Sequence, residues 1–248
     1  MRNYEIETAE RTAWIREILE DAGARGVIFG NSGGKDSALV GILCKKATEN
    51  VLGVMMPCET KTNYGTDQEH AVLLARAFGI ENSIVDITLC KQALAHELKR
   101  VNDITSTAAS NINPRLRMAS LYALGQSLGY LVAGTGNKSE NYTGYFTKWG
   151  DGAYDFNPIA DLTATEVFEF LRYLGAPVEI IGKPPSAGLF EGQTDEDEMG
   201  VSYYAIDKFI QTGKGHPLDI EKICKMHKQT EHKRQTPRAY SSLFTIST

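Results

Sequence analysis

The chain of 248 residues has few cysteines, and none of the four (Cys44, Cys58, Cys90 and Cys224) forms a C-x-x-C pair. That scatter excludes a zinc ribbon or a disulfide frame and suits thiols in a reducing compartment. No apolar run approaches the roughly 18 residues of a membrane helix, and the first residues are polar, unlike the apolar core of a signal peptide. A cytoplasmic location without a membrane partner is the expectation. Positive charge is not in excess either. Lys and Arg number 26 against 31 Asp and Glu, a net charge of −5, which argues against a general nucleic-acid binder while leaving room for a local basic pocket. Repeats and low-complexity tracts are lacking too. What is present, 42% hydrophobic and 23% charged residues, is ordinary for a globular enzyme, and length alone allows one α/β domain or two small ones.

The informative stretch is Gly26–Ser37, GVIFGNSGGKDS. An apolar run, Val27-Ile28-Phe29, meets a loop with Gly33-Gly34 and then a helical segment from Ala38 to about Thr48. Strand, small-residue loop and helix start present backbone N–H groups and a positive helix end to an anion. Asp36 is out of place in a phosphate cradle unless a cation lies between carboxylate and phosphate, so the sequence asks for Mg²⁺. The loop is not a Walker A motif, since Asp36 follows Gly34-Lys35 and Phe29 occupies the first glycine position. No G-x-G-x-x-G follows the strand, so it is not a dinucleotide fingerprint. It does match S-G-G-x-D-S, and so resembles the PP-loop ATP pyrophosphatases, which cleave ATP between the α and β phosphates and activate a substrate as its adenylate.

Periodicity predicts a helix over Thr8–Ala22, strands at Val27–Gly30, Val51–Met56, Asn82–Ile87 and Tyr130–Ala133, and helices between them. Asn63 or Thr66 starts a helix that runs to Phe78, where Gly79 stops it. Asn102–Asn113 has the composition of a mobile connection, and Asn113-Pro114 reads as a cap with proline at the first helical position. Thr163-Ala164-Thr165-Glu166 is a capping box that opens a helix to Leu174. Helices over about Val201–Gln211 and Asp219–His232 close the chain. The alternation implies an α/β fold, a doubly wound parallel sheet flanked by helices. Ligands bind beyond the carboxyl ends of such strands, so the first loop and Gly134–Glu140 should face one crevice.

A longer stretch, Gly134–Pro158 (GTGNKSENYTGYFTKWGDGAYDFNP), resembles the NAD synthetase family closely. NINPRLRM from Asn111, PSAGLFEGQTDEDEMG from Pro185 and EHKRQTP from Glu231 carry the same resemblance almost to the end of the chain. It implies the adenine nucleotide alpha hydrolase-like (PP-loop) architecture and one synthetase domain over residues 1–248. It also implies a homodimer that makes NAD from deamido-NAD, ATP and a nitrogen donor. By position, Gly30, Asn31, Ser32, Gly33, Gly34, Lys35, Asp36 and Ser37, with Thr135 and Ser186, would bind ATP. Asp36 and Glu140 would share the Mg²⁺; Arg115, Lys148, Asp155, His232 and Lys233 would bind deamido-NAD. With no glutamine amidase domain, ammonia is the expected donor unless another chain supplies it. No residue is assigned as a covalent catalyst.

Plainer readings exist for each residue alone. Glu140 could be a favourable first-turn charge, His232-Lys233 a solvated helix end, and Asp195–Glu198 a helix start or the solvated face of a lid over Pro184–Met199. An arginine in the first turn of a helix, as at Arg115, opposes the dipole, which favours a ligand anion. His227 and His232 are too weak a signal for a metal. One departure stands out: the family commonly has lysine after Asp-Leu-Thr, where this chain has Ala164, and Lys35, Lys138 or Lys183 would have to compensate. The rival readings are another PP-loop adenylating ligase and a catalytically silent nucleotide-binding homologue.

Overall fold

The computed structural model describes residues 2–183, 186 and 194–240. Four strands, β1 (Gly26–Gly30), β2 (Val51–Met55), β3 (Glu81–Ile84) and β4 (Tyr130–Ala133), form one sheet in the order β3-β2-β1-β4. Every pairing is parallel, with Val27 opposite Val51 and Leu131, and Leu52 opposite Glu81. The order reverses between β1 and β4, which makes the sheet doubly wound. β1 and β2 lie in the centre, and their apolar residues are buried on both faces, as parallel strands require.

The helices in chain order are α1 (Tyr4–Asp21), α2 (Lys35–Ala47), α3 (Lys61–Tyr64), α4 (Thr66–Phe78), α5 (Thr88–Lys99), α6 (Ser106–Ser110) and α7 (Ile112–Leu128). They continue with α8 (Lys138–Thr143), α9 (Ala164–Tyr173), α10 (Val178–Ile181), α11 (Asp195–Met199), α12 (Tyr203–Thr212), α13 (Pro217–Gln229) and α14 (Glu231–Arg234). One sheet face packs against α1, α2, α4, α9 and α10 around Ile15, Phe29, Leu39, Leu43, Leu74 and Phe170. The other face meets α7 through Ile28, Val54, Leu121 and Val132. A third cluster, Ala164, Met199, Val201, Tyr203, Ile206 and Ile223, joins α9 to α11, α12 and α13 beyond the sheet. At about 25 cal/mol per Å² of apolar area, these buried side chains supply the main folding force.

Several boundaries differ from the sequence reading. The second helix begins at Lys35, not Ala38, because Gly34 is extended and releases the chain into helix at once. Lys35, Asp36 and Ser37 therefore form its first turn. Of the two expected starts only Thr66 is one: Asn63 lies inside α3, which begins at Lys61 and is capped by Gly65, α4 follows from Thr66, and Gly79 closes α4 in the left-handed conformation (φ 65°). The stretch read as a mobile connection contains α6, capped by Thr105. It then runs into α7, whose cap is Asn111, so Asn113 and Pro114 lie inside the first turn, where an N–H is not needed. Residues 184–185 and 187–193 of the expected lid lie outside the described residues.

Candidate active site

Beyond the carboxyl end of β1 the chain turns through Asn31–Gly34. Gly33 has φ 70°, and a Cβ there would stand 2.1 Å from the Asp67 carbonyl oxygen, so both conformation and space demand glycine. The Asn31 amide donates inward to Ala71 O and Asn82 Oδ1, each at 3.2 Å, and ties the loop to α4 and β3. Ser32 and Ser37 face each other with their hydroxyls 3.0 Å apart. The N-terminal N–H groups of α2 open onto this loop, where an anion is favoured.

The loop after β4 ends in a capping box. Asn137 Oδ1 accepts from the Ser139 and Glu140 N–H groups, while Glu140 Oε2 accepts from Asn137 N at 2.9 Å. The same asparagine reaches across the switch point: its Nδ2 donates to Asp36 Oδ1 at 3.0 Å. Two carboxylates from distant parts of the sequence thus share one residue. Burial, with the Asp36 charge beside it, raises the pKa of Glu140 well above its ordinary value. A pair of oxygen ligands that repel each other fits a hard divalent cation.

Lys35 supplies the local positive charge. Its ammonium is buried, 2.5 Å from Asp36 Oδ2, and lies 5.6 Å from the Phe168 ring centre and 5.3 Å from that of Tyr203. Burial alone would lower its pKa, but Asp36, Glu140 and Asp195 outweigh burial and raise it. Of the other two lysines weighed as substitutes at position 164, Lys138 is exposed and Lys183 pairs with Asp67 at 2.5 Å. Ala164 itself is fully buried in the third cluster, and its N–H donates to Ser139 Oγ at 3.0 Å.

Around α14 the structure gathers four predicted residues. Arg115 Nη2 donates to Lys148 O (3.4 Å), and Lys148 Nζ to His232 O (2.6 Å). Lys233 Nζ donates to the carbonyls of Gly144 (2.7 Å) and Phe146 (2.6 Å), which holds α14 against the turn after α8. Asp155 stands apart from this group, accepting from Val132 N at 2.7 Å and Tyr122 Oη at 3.1 Å beside β4. Thr135 lies in the loop between β4 and α8, and Ser186 is exposed.

The NAD synthase family model matches residues 7–237. The chain belongs to the NAD synthase family. It is 45% identical over 238 residues to an NH(3)-dependent NAD(+) synthetase of Carboxydothermus hydrogenoformans, covering 95% of this chain and 97% of that one. Among solved structures it resembles an NMN synthetase from Francisella tularensis (34% identity, TM-score 0.92, 98% of this chain and 100% of that one). It also resembles an NH3-dependent NAD synthetase from Campylobacter jejuni (30% identity, TM-score 0.79, 97% of this chain and 100% of that one). The doubly wound sheet and its PP-loop-like architecture are those of these relatives.

Three residues of the site escaped the sequence reading. Asn137 was legible as the start of an N-x-x-E capping box, whose side chain also reaches Asp36. Asp207 lies on the apolar face of α12, beside buried Ile206 and four residues after Tyr203. A carboxylate on such a face is a signal in itself. It accepts from the Ser139 hydroxyl and from Thr165 N at 2.8 Å, tying α8 to α9 and α12. The third is Asp195. The run Asp195–Glu198 is the helix start that the sequence offered, with Glu196, Asp197 and Glu198 exposed and Asp195 alone buried. Asp195 accepts from Tyr203 Oη (3.0 Å), Glu196 from Tyr203 N (2.7 Å), Asp197 from Thr194 Oγ1 (2.5 Å) and Glu198 from Tyr145 Oη (2.5 Å).

Proposed function

We propose that this chain is an ammonia-dependent NAD synthetase, a carbon–nitrogen ligase that amidates deamido-NAD with ATP and ammonia and releases AMP and pyrophosphate. The observation that carries the reading is the junction at the switch point, where Asn137 joins Asp36 of the phosphate loop to Glu140 of the second loop, in a chain of this family. In this reading Gly30–Ser37, Thr135 and Ser186 bind ATP, and Asp36 and Glu140 hold Mg²⁺. The ion would neutralise phosphate oxygens and polarise the α-phosphorus. Arg115, Lys148, Asp155, His232 and Lys233 bind deamido-NAD; Arg115 and Lys148 are chained by hydrogen bonds to the backbone of His232, next to Lys233, which brings three cations suited to pyrophosphate and carboxylate into one region.

The chemistry needs two displacements. A nicotinate carboxylate oxygen attacks the α-phosphorus, the bond to the β-phosphate oxygen breaks, and pyrophosphate leaves. Ammonia then attacks the acyl carbon, AMP departs with the electron pair of the acyl–oxygen bond, and the nitrogen gives up a proton. No covalent catalyst is required. The chain aligns the reactants, and its loop N–H groups and Lys35 offset the charge.

The homodimer rests on α5, which has no buried residue although Leu94, Leu98 and Val101 recur at helical spacing. Ile84 on edge strand β3 is exposed as well. A second copy laid over the Leu94–Leu98 stripe would bury it. A cytoplasmic setting is supported by four unpaired cysteines.

A second substrate is favoured by one observation. The relative with TM-score 0.92 is an NMN synthetase, which implies nicotinate mononucleotide as acyl acceptor of the adenylyl group. Exchange of labelled pyrophosphate into ATP, with each candidate acid in turn, tests both. Exchange that depends on deamido-NAD supports the first reading; exchange with the mononucleotide alone transfers it to the second. Absence of exchange in folded, ATP-binding protein refutes the ligase.

A further inference from the structure

The positive charge of Lys35 lies where the divalent cation would need to be. Its ammonium holds Asp36 Oδ2 at 2.5 Å, and Asp36 Oδ1 is taken by Asn137. A divalent ion binds carboxylate oxygen at about 2.1 Å, so ammonium and metal on the same carboxylate would be like charges only a few ångströms apart. In a site withdrawn from water that repulsion is not screened, and one of the two must give way.

A buried ammonium that leaves one carboxylate needs another. Lys35 is only 5% exposed and Asp195 only 4%. The two are linked through Tyr203, whose ring faces the ammonium at 5.3 Å while its hydroxyl donates to Asp195 Oδ2 at 3.0 Å. Phe168 flanks the ammonium from α9. The aromatic faces favour a cation at positions between the carboxylates. The charge of Asp195 is felt at both Lys35 and Glu140. Asp36, Glu140 and Asp195, once all are ionised, would leave a net charge of −2 against Lys35, which one divalent cation would neutralise.

We propose that Lys35 is a resident counter-ion that holds Asp36 until a divalent cation binds and is then handed to Asp195, steered past the Tyr203 ring. Asp195 is thus a positioning residue: it acts on the metal through Lys35. The proposal rests on the reading of Asp36 and Glu140 as metal ligands, and it explains why a lysine can stand beside Asp36 without excluding the ion. It also gives the acid that follows residues 184–193 a direct link to the phosphate loop.

The test is binding of Mn²⁺ alone, without nucleotide, to the full chain, followed by electron paramagnetic resonance of the free ion. Lys35→Gln removes the competing cation and should tighten binding about tenfold; Lys35→Met, which keeps the chain length, should act alike if glutamine impairs folding. Asp195→Asn strands the displaced ammonium and should weaken binding about tenfold. In the Lys35→Gln background the Asp195→Asn loss should shrink at least threefold, since Asp195 then has no ammonium to receive. A purely structural role would weaken binding in every variant. Weaker or unchanged binding in Lys35→Gln and Lys35→Met, or an equal Asp195→Asn loss in both backgrounds, overturns the handover. If Asp36→Asn leaves Mn²⁺ affinity at the wild-type value, the metal site itself is refuted, an outcome distinct from failure of the handover alone.

Discussion

Replacing Asp207 by alanine isolates the contribution of a buried carboxylate that touches neither loop directly. The residue accepts from the Ser139 hydroxyl and from Thr165 N, and Ser139 Oγ in turn accepts from Ala164 N. Asp207 is 2% exposed, so water cannot take its place. The alanine variant leaves the Thr165 N–H and the Ser139 hydroxyl without this acceptor, at roughly 1–3 kcal/mol each. Part of that is offset because a carboxylate no longer has to be dehydrated. It had been stabilised there by the N-terminus of α9, by about 0.3–1 kcal/mol. A net loss of about 3 kcal/mol follows, or roughly 6–12 °C in Tm for a domain of this size. Denaturant unfolding measures the first and calorimetry the second. Because Ser139 precedes Glu140, the loosened turn should also raise the KM for Mg²⁺·ATP severalfold while the KM for the acid substrate stays near normal. Asp207→Asn keeps one acceptor and can donate to Ser139 Oγ, so it should recover part of both effects. An alanine variant within about 0.5 kcal/mol of wild type, with unchanged KM for ATP, would refute this account of the network.

Asp36→Asn keeps the shape and an acceptor for Asn137 but takes the charge from beside the buried Lys35 ammonium, so the chain should still fold with a lowered Tm while turnover falls about 100-fold or more, roughly 3 kcal/mol in the barrier; steady-state kinetics decide it. Gly33→Ala meets the Asp67 carbonyl and a φ of 70°, and should cost about 1–3 kcal/mol in unfolding free energy along with measurable ATP affinity by calorimetry. Acid titration tests the Arg2–Arg11–Asp161–Glu166 network. Burial raises the Asp161 pKa, but its hydrogen bond and ion pair with Arg11, with help from Arg2, bring it below 3.8; backbone and Arg2 bonds likewise bring Glu166 below 4.5. Carboxylates depressed in the folded state stabilise it above their unfolded pKa and cease to do so as pH falls through the folded value. The stability difference between wild type and Asp161→Asn should therefore be constant above about pH 5 and fade below pH 4; a difference independent of pH would exclude the ion pair as its source.

Strands β1, β2 and β4 were legible because parallel strands buried in a sheet are short apolar runs, and β4 runs over the expected Tyr130–Ala133, whereas edge strand β3, largely exposed, spans Glu81–Ile84 and not the expected Asn82–Ile87. The capping box at Thr163–Glu166 was legible because it is wholly local. What local pattern could not give was the partner of each charge. Asp195–Glu198 looks like any acidic helix start, and only the fold brings Tyr203 and Tyr145 to it. Asn137 reads as a cap from spacing, yet its second bond, to Asp36, spans 101 positions. The start of α2 was misplaced because glycine, serine and lysine in a loop look the same as in a first turn. The decisive feature, the extended Gly34, is a backbone angle rather than a residue type.

The two ends of the crevice carry opposite demands. At one end, Asp36, Glu140 and Asp195 gather near the Lys35 ammonium beside the N-terminus of α2, an arrangement suited to a cation and to the phosphates it would neutralise. At the other, Arg115, Lys148 and Lys233 have no carboxylate partner among the described residues within ion-pair distance; they are held instead by backbone carbonyls. Cations positioned by neutral groups keep their charge available for an incoming anion. Deamido-NAD, an anion, would meet like charge at the acidic end, whereas Mg²⁺·ATP would bring with it the cation that end calls for. In the proposed reading this sorting of charge would steer deamido-NAD to the basic group and leave the acidic one to Mg²⁺·ATP. Reversing Arg115 to glutamate should accordingly impair deamido-NAD far more than ATP, raising the KM of the first about 100-fold and that of the second less than threefold, and equal losses in both would remove charge sorting as the cause.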